Sequence, residues 1–241
     1  MATFEGFGER GLHFLKAIGF HQSREWFAEN KALYESELKA PMAVLLDDVS
    51  ARMKAAGIPL SGSAKASTFR INRDVRFTKE KHPYNQHVSA VLTRTGDKKD
   101  MGGLYVHVSP GRTLLASGLW HPTGPMLRAL REDIVARPDT LLEIEAGLAR
   151  HGLAFKTDEM LVKGPAGFKG DHGEDVGRLL RYKSFVVEQP LDDAIVTTPE
   201  LVDAMLTLAE RALPLLNYGW RITDPLRETE PRGTEDKRRR S

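Results

Sequence analysis

The feature that most constrains this fold is a change in hydrophobic period, from helical spacing to a period of two near residue 67, broken at Val91, and back to helical spacing from residue 126. Before the change, Leu12, Leu15 and Ile18 recur at helical spacing, and Gly19 closes the run. Ser23 stands where an N-cap belongs, ahead of a stripe of Trp26, Phe27, Asn30, Leu33, Tyr34 and Leu38. The stripe continues through Leu45, Leu46, Val49 and Met53. Pro41 predicts a kink or a division there, because its ring removes a donor and clashes one turn back.

Within the alternating region, Phe69, Ile71, Val75 and Phe77 interleave with Arg70, Asn72, Asp74 and Arg76. Val88, Ala90 and Leu92 interleave with His87, Ser89 and Thr93, and Leu104, Val106 and Val108 with Tyr105, His107 and Ser109. A further segment, 113–119, follows the turn signal Pro110-Gly111. Half-polar strands with short connections predict an antiparallel sheet with one face packed on helices. Helical spacing returns over 126–134 and 141–148, and a short helix at 176–180 precedes a strand at 184–188. A last helix carries Val202, Met205, Leu206, Ala209 and Leu213. The expected class is therefore α+β: N-terminal helices, a central, largely antiparallel sheet, and further helices in the C-terminal half. No change of composition marks a linker, so 1–225 reads as a single α+β domain. The rest, 226–241, reads as a charged, disordered tail ending in Lys237-Arg238-Arg239-Arg240.

Composition narrows the function by exclusion. The chain has no cysteine, which removes disulfides, thiolate-bound zinc and thiol nucleophiles. It has no apolar run long enough to span a membrane and no signal-peptide core, so a cytoplasmic protein without a membrane partner is expected. There is no dinucleotide fingerprint, Walker loop, nucleophile elbow or kinase motif, and no cofactor is assigned.

Net charge is +2, but it is unevenly spread. Residues 65–112 hold ten Lys/Arg against Asp74, Glu80, Asp97 and Asp100, a local +6. Strand parity would put Arg70, Asn72, Asp74 and Arg76 on one face and drop Arg73 onto the apolar one. Burying an unpaired guanidinium there is costly, so either a bulge re-aims Arg73 or a buried acid meets it. Charge-rich strands are usually just solvated faces. Here, however, arginines, an aspartate and an asparagine would share a face with His87, His107 and Tyr105, which suits an anion. His87, His107 and Asp74 also have the make-up of a two-imidazole, one-carboxylate metal site if their strands are adjacent. Acid–base use of the imidazoles is the preferred reading, and no metal ligand is assigned.

Two stretches resemble a known family. Arg24-Glu25-Trp26-Phe27-x-x-Asn30-Lys31-x-x-Tyr34 is one, and Arg73-Asp74-x-Arg76-Phe77-x-Lys79-x-Lys81-x-Pro83-Tyr84 is the other. Together they are similar to an uncharacterised family of conserved hypothetical proteins, a domain of unknown function widespread in bacteria and present in some fungi. Tyr105-x-His107, Arg131, Lys163-x-Pro165-x-Gly167-Phe168 and Lys183-Ser184 fit as well, while Glu80, His82 and Asn85 depart from the pattern. The resemblance implies one undivided domain. It brings no established activity, so no catalytic residue is carried over.

Three functions are thus in view. The first is a small phosphate- or carboxylate-bearing ligand held by Arg70, Arg73, Arg76, Lys79 and Lys81. There Tyr84 and Tyr105 would shape the pocket, and His87 or His107, oriented by Asp74, would move a proton. The second is nucleic-acid binding by the same patch, with Phe77, Tyr84 and Tyr105 stacking on bases. The third is a partner-binding or structural module in which Arg24-Glu25-Trp26-Phe27 is simply cap and core.

Overall fold

The structure, a computed structural model, describes residues 3–76 and 81–227. It opens with helices α1 (Glu9–Phe20), α2 (Arg24–Glu29), α3 (Lys31–Tyr34) and α4 (Ala40–Ala55). The Ser23 side chain accepts from the Trp26 N–H at 3.1 Å, which caps α2 as its position predicts. Pro41 does not break the chain. A π-helical turn at Glu35–Lys39 joins α3 to α4, and Pro41 sits in the first turn of α4. The wider turn absorbs the hydrogen bond that proline cannot donate. Phe14, Trp26, Phe27 and Tyr34 form an aromatic cluster here, with Phe14 and Trp26 centroids 5.4 Å apart.

After the short helix α5 (Ala64–Ser67) come four antiparallel strands: β1 (Val88–Thr93), β2 (Gly103–Val108), β3 (Leu114–Leu119) and β4 (Phe185–Pro190). Between β3 and β4 lie α6 (Gly124–Ala136), α7 (Pro138–Ala149) and α8 (Glu174–Leu179). After β4 come α9 (Asp193–Val196) and α10 (Glu200–Arg227), where the described residues end. This is the α+β arrangement that the change of period implies.

Register assigns each strand residue to a face. Ala90, Leu92, Leu104, Val106, Leu115, Leu119, Phe185 and Val187 lie on the inner face and are buried. They pack on α10, which contributes Leu201, Met205, Leu208, Leu215 and Leu216 to the same core. Burial of a side chain of this size is worth roughly 1.5–3 kcal/mol, which explains why α10 persists through Pro214 and Pro225. Trp220 fixes its far end by donating to the Met101 carbonyl at 2.8 Å. The expected tail lies, from residue 228 onward, outside the described residues.

One expected strand does not form. Over its described part, 69–76, the chain makes a single isolated bridge, Asn72 to Tyr84, after another at Thr68 to Ala90. Four residues separate 68 from 72, whereas six separate 84 from 90, so the two bridges are out of register by two residues. Alternating side chains satisfied the pattern, but the mismatched spacing prevents a regular ladder. The face-sharing expected of Arg70, Asn72, Asp74 and Arg76 therefore has no strand to rest on.

Candidate functional site

The outer sheet face carries the polar strand positions. The pairings Ser89 to His107 and Val91 to Tyr105, continued to Ala116 and Glu188, place these side chains on one surface, and His87 enters it just before β1. The two excess residues between the bridges lie in the 84–90 stretch, where the chain brings His87 up to this face.

His87 and His107 are in ring contact, centroids 4.1 Å apart. His107 Nδ1 lies 3.0 Å from the Tyr105 hydroxyl, and that hydroxyl also bonds the side chain of Ser89, itself 2% exposed. Phe69 borders the group, edge-on to Tyr105 at 6.0 Å, with the Lys98 ammonium over its ring. On the far side, Glu188 pairs with Lys156.

Partial burial shapes the electrostatics. It lowers the His87 pKa, and the Arg73 guanidinium lowers it further. His107 falls to about 4 through burial, then His87, then Arg112. Both imidazoles are therefore neutral at pH 7. Tyr105 is raised by burial, with Glu188 adding to the effect, so it keeps its proton. Two guanidiniums thus act on a pair of uncharged imidazoles and disfavour their protonation.

The expected site residues divide into two groups. His87, His107, Tyr105 and Arg73 come together. Asp74 does not join them. Its carboxylate is bound by Arg76 at 2.6 and 2.9 Å, and this contact lowers the pKa of the exposed side chain to about 2. The hydrogen bond expected from Asp74 to an imidazole is made at His107 by Tyr105. Among the described residues no three His, Asp or Glu side chains are grouped to hold a metal ion, so the considered His87–His107–Asp74 set is not assembled. Arg70 is exposed, and Lys81 donates to the Val75 carbonyl at 2.9 Å. Tyr84 is core: its ring stacks on Phe27 at 4.4 Å and it is 5% exposed. Lys79, with Phe77, lies outside the described residues.

Sequence reading missed Arg112, Ser89 and Glu188. One signal was available for Ser89: the tripeptide His-Val-Ser occurs twice, at 87–89 and 107–109. A surface groove of about 680 Å³ lies between the end of α4 and residues 57–61. Its lining is mostly apolar, and its arginine, Arg94, is already engaged by Asp224 at 2.5 Å and by the Trp220 ring. None of the clustered histidine, tyrosine or arginine side chains lines it.

Fold and site thus define an α+β protein with a cation-flanked pair of histidines on the open face of an antiparallel sheet. Residues 10–218, a span holding every clustered side chain, match the conserved hypothetical protein family DUF2461, and the chain belongs to that family. Searches of curated proteins and of solved structures found no match. Among the described residues no helix is long and apolar enough to cross a membrane.

Proposed function

We propose that this is a cytoplasmic protein that binds a small phosphate- or carboxylate-bearing anion on the outer sheet face, at His87, His107, Arg73 and Arg112. The observation that carries this reading is the placement of two half-buried, uncharged imidazoles in contact with each other and under the field of two guanidiniums. Both arginines disfavour a proton on the rings. An anion seated among them offsets that field, so binding raises both histidine pKa values and draws in protons.

The sign follows directly. Because the bound complex holds its protons more tightly, affinity rises as pH falls from 7.5 towards 5.5. Calorimetric titration with inorganic phosphate should show binding that tightens over this range. Absence of binding at both pH values would remove the proposal. A steep decline in affinity for single-stranded nucleic acid with salt, alongside no phosphate binding, would instead favour the basic patch as a nucleic-acid surface.

A further inference from the structure

The two His-Val-Ser tripeptides are related to each other in space. Val88 pairs with Val108 and Ser89 with His107, so continuing the antiparallel register sets His87 opposite Ser109. Each histidine therefore faces the serine of the other tripeptide, in local two-fold symmetry about the Val88–Val108 pair. The serines are occupied: Ser89 is buried and bonded to Tyr105, and Ser109 donates to the Gln86 carbonyl at 3.2 Å. They support the site and leave the imidazoles as the groups that can move protons.

Resting on the anion-binding reading above, we propose that His87 and His107 are the acid and base that hydrolyse a phosphodiester bound at their contact, in the field of Arg73 and Arg112. Tetrahedral phosphorus presents oxygens in several directions, which suits two guanidiniums and two imidazoles better than a planar carboxylate does. A diester suits the pair better than a monoester, whose loose transition state draws little help from a base. The symmetric frame holds two unlike environments. His107 stands against His87, Arg112 and Tyr105, while His87 stands against Arg73 and His107. Glu188, paired with Lys156, faces them from β4 through Tyr105. The rings are in contact and titrate as a coupled pair: His107, whose charged form is disfavoured by burial, His87 and Arg112, stays neutral as the base, and His87 takes up the proton that anion binding draws in and is the acid.

In the step itself, His87 starts as the imidazolium that anion binding favours; water attacks phosphorus and gives one proton to neutral His107, whose Nδ1–H is held by the Tyr105 oxygen. The bond from phosphorus to the leaving oxygen breaks, the electron pair stays on that oxygen, and His87 supplies its proton. The products are a phosphate monoester and an alcohol, and the exchanged proton returns through solvent. Tyr105 is a positioning residue.

The test uses the full chain with bis(p-nitrophenyl) phosphate, p-nitrophenyl phosphate as the comparison, and EDTA present to silence contaminating phosphatases. The diester should be cleaved with a bell-shaped pH profile and the monoester should not. His107→Gln should slow cleavage about 100-fold. His87→Gln should slow it about 10-fold, because nitrophenolate leaves with little help from an acid. The double variant should be no slower than His107→Gln by more than a few-fold, since the pair acts as a unit. Arg112→Ala removes an exposed side chain, so its loss of rate reads the site even if a histidine variant fails to fold. An intact diester despite calorimetric phosphate binding overturns the hydrolysis and leaves the anion site standing. So does cleavage that survives all three substitutions, and cleavage of the monoester alone overturns the diester assignment. Neither binding nor cleavage overturns both readings.

Discussion

Gly118→Ala is expected to remove most of the stability of the protein. Gly118 lies in β3 with φ +139°, a conformation that side-chain-bearing residues rarely adopt. A Cβ added there would stand 2.0 Å from the Phe185 carbonyl oxygen and 2.9 Å from the Val186 Cα, both backbone atoms of β4. Neither can retreat without parting the β3–β4 ladder, which carries Phe185 and Val187 into the core. Backbone strain and a main-chain clash together should cost about 4 kcal/mol or more, against a total of about 5–15 kcal/mol for a domain. Chemical denaturation should show a midpoint shifted accordingly, or no folded baseline. A melting temperature within a few degrees of the parent would contradict the close approach of the two strands.

Removing both Arg73 and Arg112 should lower phosphate affinity at least about 100-fold. A hydrogen bond to a charged group contributes about 1.5–3 kcal/mol, and partial exposure puts these arginines near the lower end. Two such losses at that end still amount to a factor of a hundred or more. Arg112 is exposed and Arg73 is fixed mainly through its backbone, donating to the Pro83 carbonyl at 2.8 Å, so the fold should survive. Calorimetry on the parent and the double alanine variant measures the difference. Affinity within threefold of the parent would show that the guanidiniums are bystanders. Lysine at both positions should restore part of the binding, since charge returns without the planar fork.

How much of this was legible in the sequence depends on which physical constraint wrote the pattern. The strands at 88–93 and 103–108 were readable because apolar residues recur every second position on the face that packs on α10, even though much of the other face is also buried. The 69–76 stretch alternates just as well, yet alternation says nothing of whether a partner has the same spacing. Two extra residues in the 84–90 stretch decided that. The question of lone burial at Arg73 presupposed a strand; without one at 69–76, Arg73 remains partly exposed, with His87 in its field. Asp74 was misplaced because an arginine two residues away captures it locally, a competition that strand parity ignores. Arg112 was counted among the basic residues but not assigned to the site. It follows a turn, and only the fold brings it towards His107. The length of α10 was hidden by Pro214 and Pro225, whose local cost tertiary burial outweighs.

The central claim is that the His87–His107 face is an anion site, and the His107 ring reports on it most directly. Its Cε1 proton can be followed by NMR through a pH titration with and without inorganic phosphate, with the His87→Gln and His107→Gln variants providing the assignments. Without phosphate, His107 should titrate near 4. With phosphate bound, its midpoint and that of His87 should both move upward, and the shift should vanish in the Arg73→Ala/Arg112→Ala variant. Titration curves that superimpose with and without phosphate would contradict the account.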